Sequence, residues 1–251
     1  MTTRMAVGLG NPGAKYAGTR HNLGFWSVEA LAEAAGAAFE AHARVPALVA
    51  SWRAGGVRWL AVKPVTFMNL SGQAVVAALN FWKAPLDALL VVADDVELKP
   101  GTLRLRPSGS DGGHRGLESI IERLGTQRFA RLRLGIGRPD PEPPVPLADW
   151  LLHPFSSSEL PWVREVVKKS VLAVETWARE GAPAAMNLFN AASPGGAARR
   201  KTTTHERQAE QDTDLRGPFH PQHRRQGGGR PGDDREAGER HPEGGGQARQ
   251  G

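Results

Sequence analysis

The chain has 251 residues, with 32 basic and 26 acidic side chains and a formal net charge of +6. It has no cysteine, which excludes disulfides, Cys-ligated zinc, iron–sulfur clusters and a thiol nucleophile. No charge-free apolar run reaches the ~18 residues of a membrane-spanning helix, and Met1 to Gly8 has no signal-peptide core, so a soluble cytoplasmic protein is expected.

Composition breaks near residue 192. Residues 193–251 hold 12 Gly, 5 Pro, 11 basic and 9 acidic side chains, and their only large apolar residues are Leu215 and Phe219. Such a segment buries too little apolar surface to offset its ordering entropy, so a disordered, low-complexity tail is expected. All seven Trp and the single Tyr precede it. Residues 1–192 read as one domain of ordinary size, with 21 basic and 17 acidic side chains. That mild excess is compatible with a polyanionic partner.

Met5 to Leu9 is a short apolar run that stops in Gly10-Asn11-Pro12-Gly13, the pattern of a strand feeding a tight loop. Leu23, Trp26, Ala30 and Leu31 then share a helical face, with Asn22 as a plausible N-cap. Val45–Ala50 and Val57–Val62 read as strands joined at Gly55-Gly56. Val75, Leu79 and Trp82 mark a second helix that starts at Asn69 or Ser71. Leu86–Ala93 is apolar apart from Asp87 and ends at Asp94-Asp95. Thr102–Arg106 alternates, setting Leu103 and Leu105 against Arg104 and Arg106. A Gly/Ser-rich loop over Pro107–Gly113 leads into a short helix, about Gly116–Leu124. Phe129–Ile136 alternates again, with Arg131 and Arg133 on one face. A Pro-rich loop covers 138–146, and helices are predicted near 158–180 and 182–190. Strands alternating with helices predict an α/β fold. The short link between the strands near 91 and 102 cannot be a βαβ crossover, so the sheet should be mixed.

Several stretches have chemical potential. Gly8 to Gly13 fits G-x-G-x-x-G, but the eight residues from Lys15 to Asn22 intervene before helical periodicity begins. A dinucleotide loop starts its helix within the glycine run, so a structural turn is the better reading. His21, between a loop and a helix start, needs a partner before it can serve as a base. Asp94 and Asp95 stand at a strand's carboxyl end, where they either orient a histidine or simply begin a polar turn. Phe67 and Met68 are apolar where the chain should bend, either as core plugs or as a pocket wall with Asn69 at its rim. Gly109 to Gly116 carries consecutive backbone N–H groups able to bind an anion, with Arg104, Arg106, Arg115, Arg131 and Arg133 nearby in sequence. There is no G-x-S-x-G elbow, P-loop, H-E-x-x-H or metal-ligand His/Asp cluster in the sequence. A hydrolase of this composition must activate water with a base, and His21 is the best candidate.

Val7 to Gly13, Tyr16, Thr19-Arg20-His21-Asn22, Thr66 to Gly72, Asp94-Asp95, Gly112-Gly113-His114-x-Gly116 and Arg131 to Pro139 together resemble bacterial peptidyl-tRNA hydrolases, over residues 5 to about 190. The resemblance implies a single α/β domain with a mixed, twisted sheet flanked by helices. It implies hydrolysis of the ester joining a peptide to the 3′ end of tRNA, recycling tRNA released prematurely from ribosomes. Peptidyl-tRNA is then the partner, with no cofactor, metal or membrane, and the protein is expected to be a monomer.

By the same resemblance, His21 is the catalytic histidine and Asp94 the carboxylate that holds it. Asn11 helps distinguish N-blocked peptidyl-tRNA from free aminoacyl-tRNA, and Asn69 binds near the reacting ester. Tyr16 and Phe67 contact the tRNA end or peptide, and His114 and Arg115 belong to the substrate-binding loop. Arg104, Arg106, Arg131 and Arg133 are candidates for the tRNA backbone. Arg115 departs from the family, which often has Asn there, and Arg donates hydrogen bonds without accepting them. Two other readings compete: a non-catalytic RNA-binding protein on the same fold, and a dinucleotide enzyme.

Overall fold

In the computed structural model, which describes residues 2–190, the first strand is central. The strands are β1 (Thr2–Gly8), β2 (Glu40–Ala41), β3 (Ala47–Ala54), β4 (Val57–Pro64), β5 (Leu89–Asp95), β6 (Leu103–Arg106) and β7 (Ala130–Gly135). They form one sheet in the order β2-β3-β4-β1-β5-β7-β6. The β4-β1, β1-β5 and β5-β7 pairs are parallel, and the β2-β3, β3-β4 and β6-β7 pairs are antiparallel. The sheet is therefore mixed, as the short link before β6 requires.

The helices are α1 (Leu23–Ala34), α2 (Ser71–Trp82), α3 (Arg115–Leu124), α4 (Leu147–Leu152), α5 (Leu160–Glu180) and α6 (Ala182–Phe189). Alternation along the strands feeds two cores, one on each face of the sheet. Ala6, Leu90, Val92, Leu132 and Leu134 pack with α1, α5 and α6. Met5, Val7, Leu89, Val91 and Ala93 pack with α2 and α3. β5 is buried along its whole length, which explains why it reads as a continuous apolar run.

The sequence reading misses β2 and α4, and it starts β1 at Met5 rather than Thr2. Thr2–Arg4 join the sheet through backbone pairing with Val57–Trp59, which needs no apolar side chain. β2 has two residues and α4 six, too few to show a period. Residues 193–251 lie outside the described residues. Among the described residues, no helix is long and apolar enough to cross a membrane.

Strand order reverses around β1: the chain reaches β4 on one side of it and β5 on the other. A crevice opens beyond the carboxyl ends of strands at such a switch point. The loops after β1 and β4 and the end of β5 all meet there.

Candidate active site

Alternation separates the paired aspartates. Asp94 lies on the same side of β5 as Leu90 and Val92, while Asp95 lies on the other side and accepts from Arg133 Nη1 at 3.1 Å. Asp94 is buried, and one of its oxygens serves two histidines. Asp94 Oδ1 is 2.9 Å from His21 Nδ1 and 3.2 Å from His114 Nε2. The two imidazole rings are tilted against each other with centroids 4.9 Å apart.

Backbone packing brings these residues together. Gly24 lets the start of α1 press onto the sheet, since a Cβ there would lie 2.4 Å from the carbonyl oxygen of Val92. This sets His21, three residues before Gly24, against the end of β5. Gly116 does the same for α3, because its Cβ would lie 2.5 Å from Met68 Sδ and 2.8 Å from Leu9.

The neighbours of His114 fix its tautomer. Its Nδ1 accepts from the N–H groups of Gly116 at 3.1 Å and Leu117 at 3.4 Å, capping α3. A nitrogen that accepts carries no proton, so Nε2–H is the donor to Asp94. An ionised Asp94 only accepts, which makes His21 Nδ1–H the second donor and leaves the His21 Nε2 lone pair free.

The charges follow the same geometry. Burial pushes the Asp94 carboxyl up, but His21 and His114, through charge and hydrogen bonds, outweigh it and hold the group well below the usual carboxylate range. Burial pushes His21 down, yet the charge of Asp94 and the hydrogen bond to it leave the imidazole above its ordinary 6.5. His21, Asp94 and His114 also form a group of metal-ligand type, with one ligand atom from each lying within 4.8 Å of the others. Those facing atoms are already joined by hydrogen bonds, and a metal there would have to displace both N–H protons.

Asn11 joins the loop after β1 to the turn after β4: its Oδ1 accepts from Met68 N–H at 2.9 Å. Asn69 is exposed in that turn, and Phe67 and Leu70 beside it are 55% and 40% exposed. These residues make an apolar rim around a free amide. Tyr16 is half-buried in the 3-10 turn Ala14–Tyr16, with Lys15 Nζ 4.7 Å from its ring centroid.

Three residues expected to touch substrate or tRNA sit elsewhere. Both ring nitrogens of His114 are engaged internally, so it offers substrate no free polar atom. Arg131 is 1% exposed. Its guanidinium donates to the carbonyls of Gly109, Ser110, Gln127 and Phe129, and burial and the neighbouring Arg133 charge lower its pKa to about 10. Arg133 donates to Asp95 and to the carbonyls of Ser110 at 2.8 Å and Asp111 at 3.2 Å. These two arginines organise the glycine-rich loop from below, Arg131 fully buried and Arg133 half-buried. Arg104 and Arg106 are exposed on edge strand β6, and Arg115 is exposed at the first turn of α3. The anion cradle expected at the start of α3 is partly closed, since the His114 ring takes two of its N–H groups.

Two supporting residues lie in the Thr19–Asn22 motif, where the sequence alone assigns Arg20 no role and Asn22 only that of an N-cap. Arg20 is buried beside His21, and its Nη2 donates to both Glu159 carboxylate oxygens at 2.8 Å. Its Nη1 reaches the carbonyls of His153 and Pro154, and its guanidinium stacks 3.5 Å from the centroid of the Trp150 ring. Arg20 thereby ties the His21 loop to α4 and the start of α5. Asn22 holds the backbone of Asn11. A polar Arg-His-Asn run at a loop–helix junction is the sequence signal for both.

The site occupies the position that single-domain α/β enzymes use, beyond the carboxyl ends of parallel strands. Its polar centre is a buried carboxylate–imidazole pair. The chain belongs to the peptidyl-tRNA hydrolase family, whose model matches residues 5–197. It is 48% identical to the peptidyl-tRNA hydrolase of Syntrophomonas wolfei over 187 residues, which is 74% of this chain and 100% of that one. It is 45% identical to the peptidyl-tRNA hydrolase of an Exiguobacterium strain, covering 73% of this chain and 98% of that one. Among solved structures, the crystal structure of peptidyl-tRNA hydrolase from Acinetobacter baumannii matches with a TM-score of 0.70 and 34% identity. That match covers 76% of this chain and 96% of the other. Family and fold expectations are thus met, and the dinucleotide reading falls.

Proposed function

We propose that the chain hydrolyses peptidyl-tRNA with His21 as general base, acting as a cytoplasmic monomer that recycles tRNA released prematurely from ribosomes. One observation carries the mechanism: His21 Nδ1 is held by Asp94, which leaves Nε2 free to take a proton. Nε2 removes a proton from water as the water oxygen adds to the ester carbonyl. The tetrahedral oxyanion collapses, the bond to the ribose oxygen of the terminal nucleotide breaks, and that oxygen takes the proton back from the imidazolium. The products are tRNA with a free ribose hydroxyl and a peptide carboxylic acid, which releases its remaining proton to solvent and leaves as the carboxylate. Asp94 stabilises the imidazolium in between.

Asn69, exposed and without a side-chain partner among the described residues, is suited to donate to the oxyanion, a contribution of about 3 kcal/mol. Phe67 and Tyr16 offer faces for a terminal base or an apolar peptide side chain. Arg104, Arg106 and Arg115 are the exposed cations assigned to phosphate. Hydrolysis of an N-acetylated aminoacyl-tRNA by the wild type and His21→Ala tests the proposal. The variant should bind tRNA but not turn over, and wild-type turnover in it would sink the mechanism. Tight tRNA binding by a wild type that cleaves nothing would favour the RNA-binding alternative.

A further inference from the structure

Asn22 has the position of a helix N-cap, but its side chain caps nothing in α1. Its Oδ1 accepts from the N–H of Asn11 at 2.8 Å, and its Nδ2 donates to the carbonyl of Asn11 at 3.0 Å. Both polar ends of the amide are used on one residue of the preceding loop. Asn22 is 2% exposed, so it does not itself reach a substrate.

The chemistry of the partners forces the orientation of both amides. A backbone N–H only donates and a backbone carbonyl only accepts, so the Asn22 amide fits Asn11 one way round. The same holds for Asn11, whose Oδ1 must be the end that faces Met68 N–H. What remains of Asn11 is Nδ2, with no partner among the described residues and not sealed from solvent. Asn11 therefore turns its oxygen toward Met68 and leaves the donor end of its amide unpaired.

We propose that Asn22 is a positioning residue for substrate selectivity: it locks the backbone of Asn11 so that the donor end of its amide meets the acylated nitrogen end of the substrate's aminoacyl group. The inference rests on reading the site as a peptidyl-tRNA esterase. An N-acylated substrate brings a carbonyl oxygen, which accepts from Nδ2. A free α-ammonium brings only donors, and donor facing donor leaves both unsatisfied. A loosened Asn11 is able to turn its oxygen outward and loses this polarity filter.

The test is steady-state hydrolysis of an N-acetylated aminoacyl-tRNA and of the same aminoacyl-tRNA unblocked. It compares wild type, Asn22→Ala, Asn22→Asp, Asn11→Ala and the double variant Asn11→Ala/Asn22→Ala. Asn22→Ala should lower the blocked-to-unblocked ratio of kcat/KM by about tenfold, the scale of lost positioning hydrogen bonds. The loss should fall mainly on KM, and the pH midpoint should stay put because the His21–Asp94 pair is intact. The double variant should be no worse than Asn11→Ala, because Asn22 acts through Asn11. Asn22→Asp keeps the acceptor for Asn11 N–H, should fall between wild type and Asn22→Ala, and carries the comparison if the alanine variant fails to fold. An unchanged ratio, an equal loss on both substrates, or additivity with Asn11→Ala would overturn the proposal. A wild type that cleaves neither substrate overturns the esterase reading itself, whereas one that cleaves both equally overturns only the selectivity inference.

Discussion

His114 donates from Nε2 to Asp94 Oδ1 at 3.2 Å because its other nitrogen caps a helix. One imidazole thus serves the stability of α3 and the electrostatics of the Asp94 carboxylate. His114→Ala removes both contacts. Stability should fall by about 1 kcal/mol from the lost cap. Asp94 would keep more of its negative charge for His21, so His21 should hold its proton to higher pH. The acidic limb of the kcat/KM profile should therefore move to higher pH, and an unmoved or lowered midpoint would contradict the shared-oxygen geometry.

The His21–Asp94 pair sets a second pH dependence. The proposed general-base step needs neutral His21, whose pKa is raised above 6.5, so activity should rise with pH through that raised value. The protonated imidazole's contribution to stability runs the other way: it is fully present below 6.5 and is lost as pH rises through the folded-state pKa. Asp94→Asn leaves burial as the main influence on His21, which should drop the midpoint below 6.5 and lower kcat by roughly 10²–10⁴-fold. A pH–rate profile of this variant that matches wild type would exclude Asp94 as the orienting group.

The four arginines on β6 and β7 should separate by mutation. Arg131→Ala removes a donor from four carbonyl groups, of which Ser110 keeps Arg133 and Gln127 keeps the N–H of Gly109, and should cost about 2–4 kcal/mol of stability. Arg104→Ala and Arg106→Ala should change stability by less than about 0.5 kcal/mol. They should weaken tRNA binding and flatten its salt dependence by about one unit of slope each. Thermal melts and binding titrations at several salt concentrations distinguish the two groups.

Arg20→Ala should act on His21 from behind. Glu159 would lose its bidentate partner, and the 153–159 segment would lose its anchor to the His21 loop. A stability loss of about 3 kcal/mol is expected from breaking a buried ion pair. Arg20→Lys should restore little of it, because an ammonium cannot make the forked contact. Chemical denaturation of both variants measures this directly.

A chain ending after residue 197 should retain wild-type turnover. The family match ends there, and the Syntrophomonas wolfei relative is covered in full by 74% of this chain. A large loss of activity on truncation would assign the remaining residues a role in catalysis.

The sequence by itself determined the composition break near 192, the α/β alternation, the mixed sheet and the family motifs. These are local or pairwise signals: apolar period, turn residues, link length and motif spacing. It identified His21, Asp94, Asn11 and Asn69 as candidates because each stands in a motif of the family, at the end of a strand or the start of a helix. Only the tertiary structure decided which side each residue serves. Pleating sends Asp94 to the histidines and Asp95 to Arg133, although the two are adjacent in the chain. Periodicity put Arg131 and Arg133 on one strand face, but it took the loop folded over that face to bury the first and engage the second. Asn22 read as a cap until the loop before it came within reach of its amide. Side-chain hydrogen bonds between residues far apart in sequence leave no period behind, so the positioning roles of His114, Arg20 and Asn22 exist only once the chain has folded.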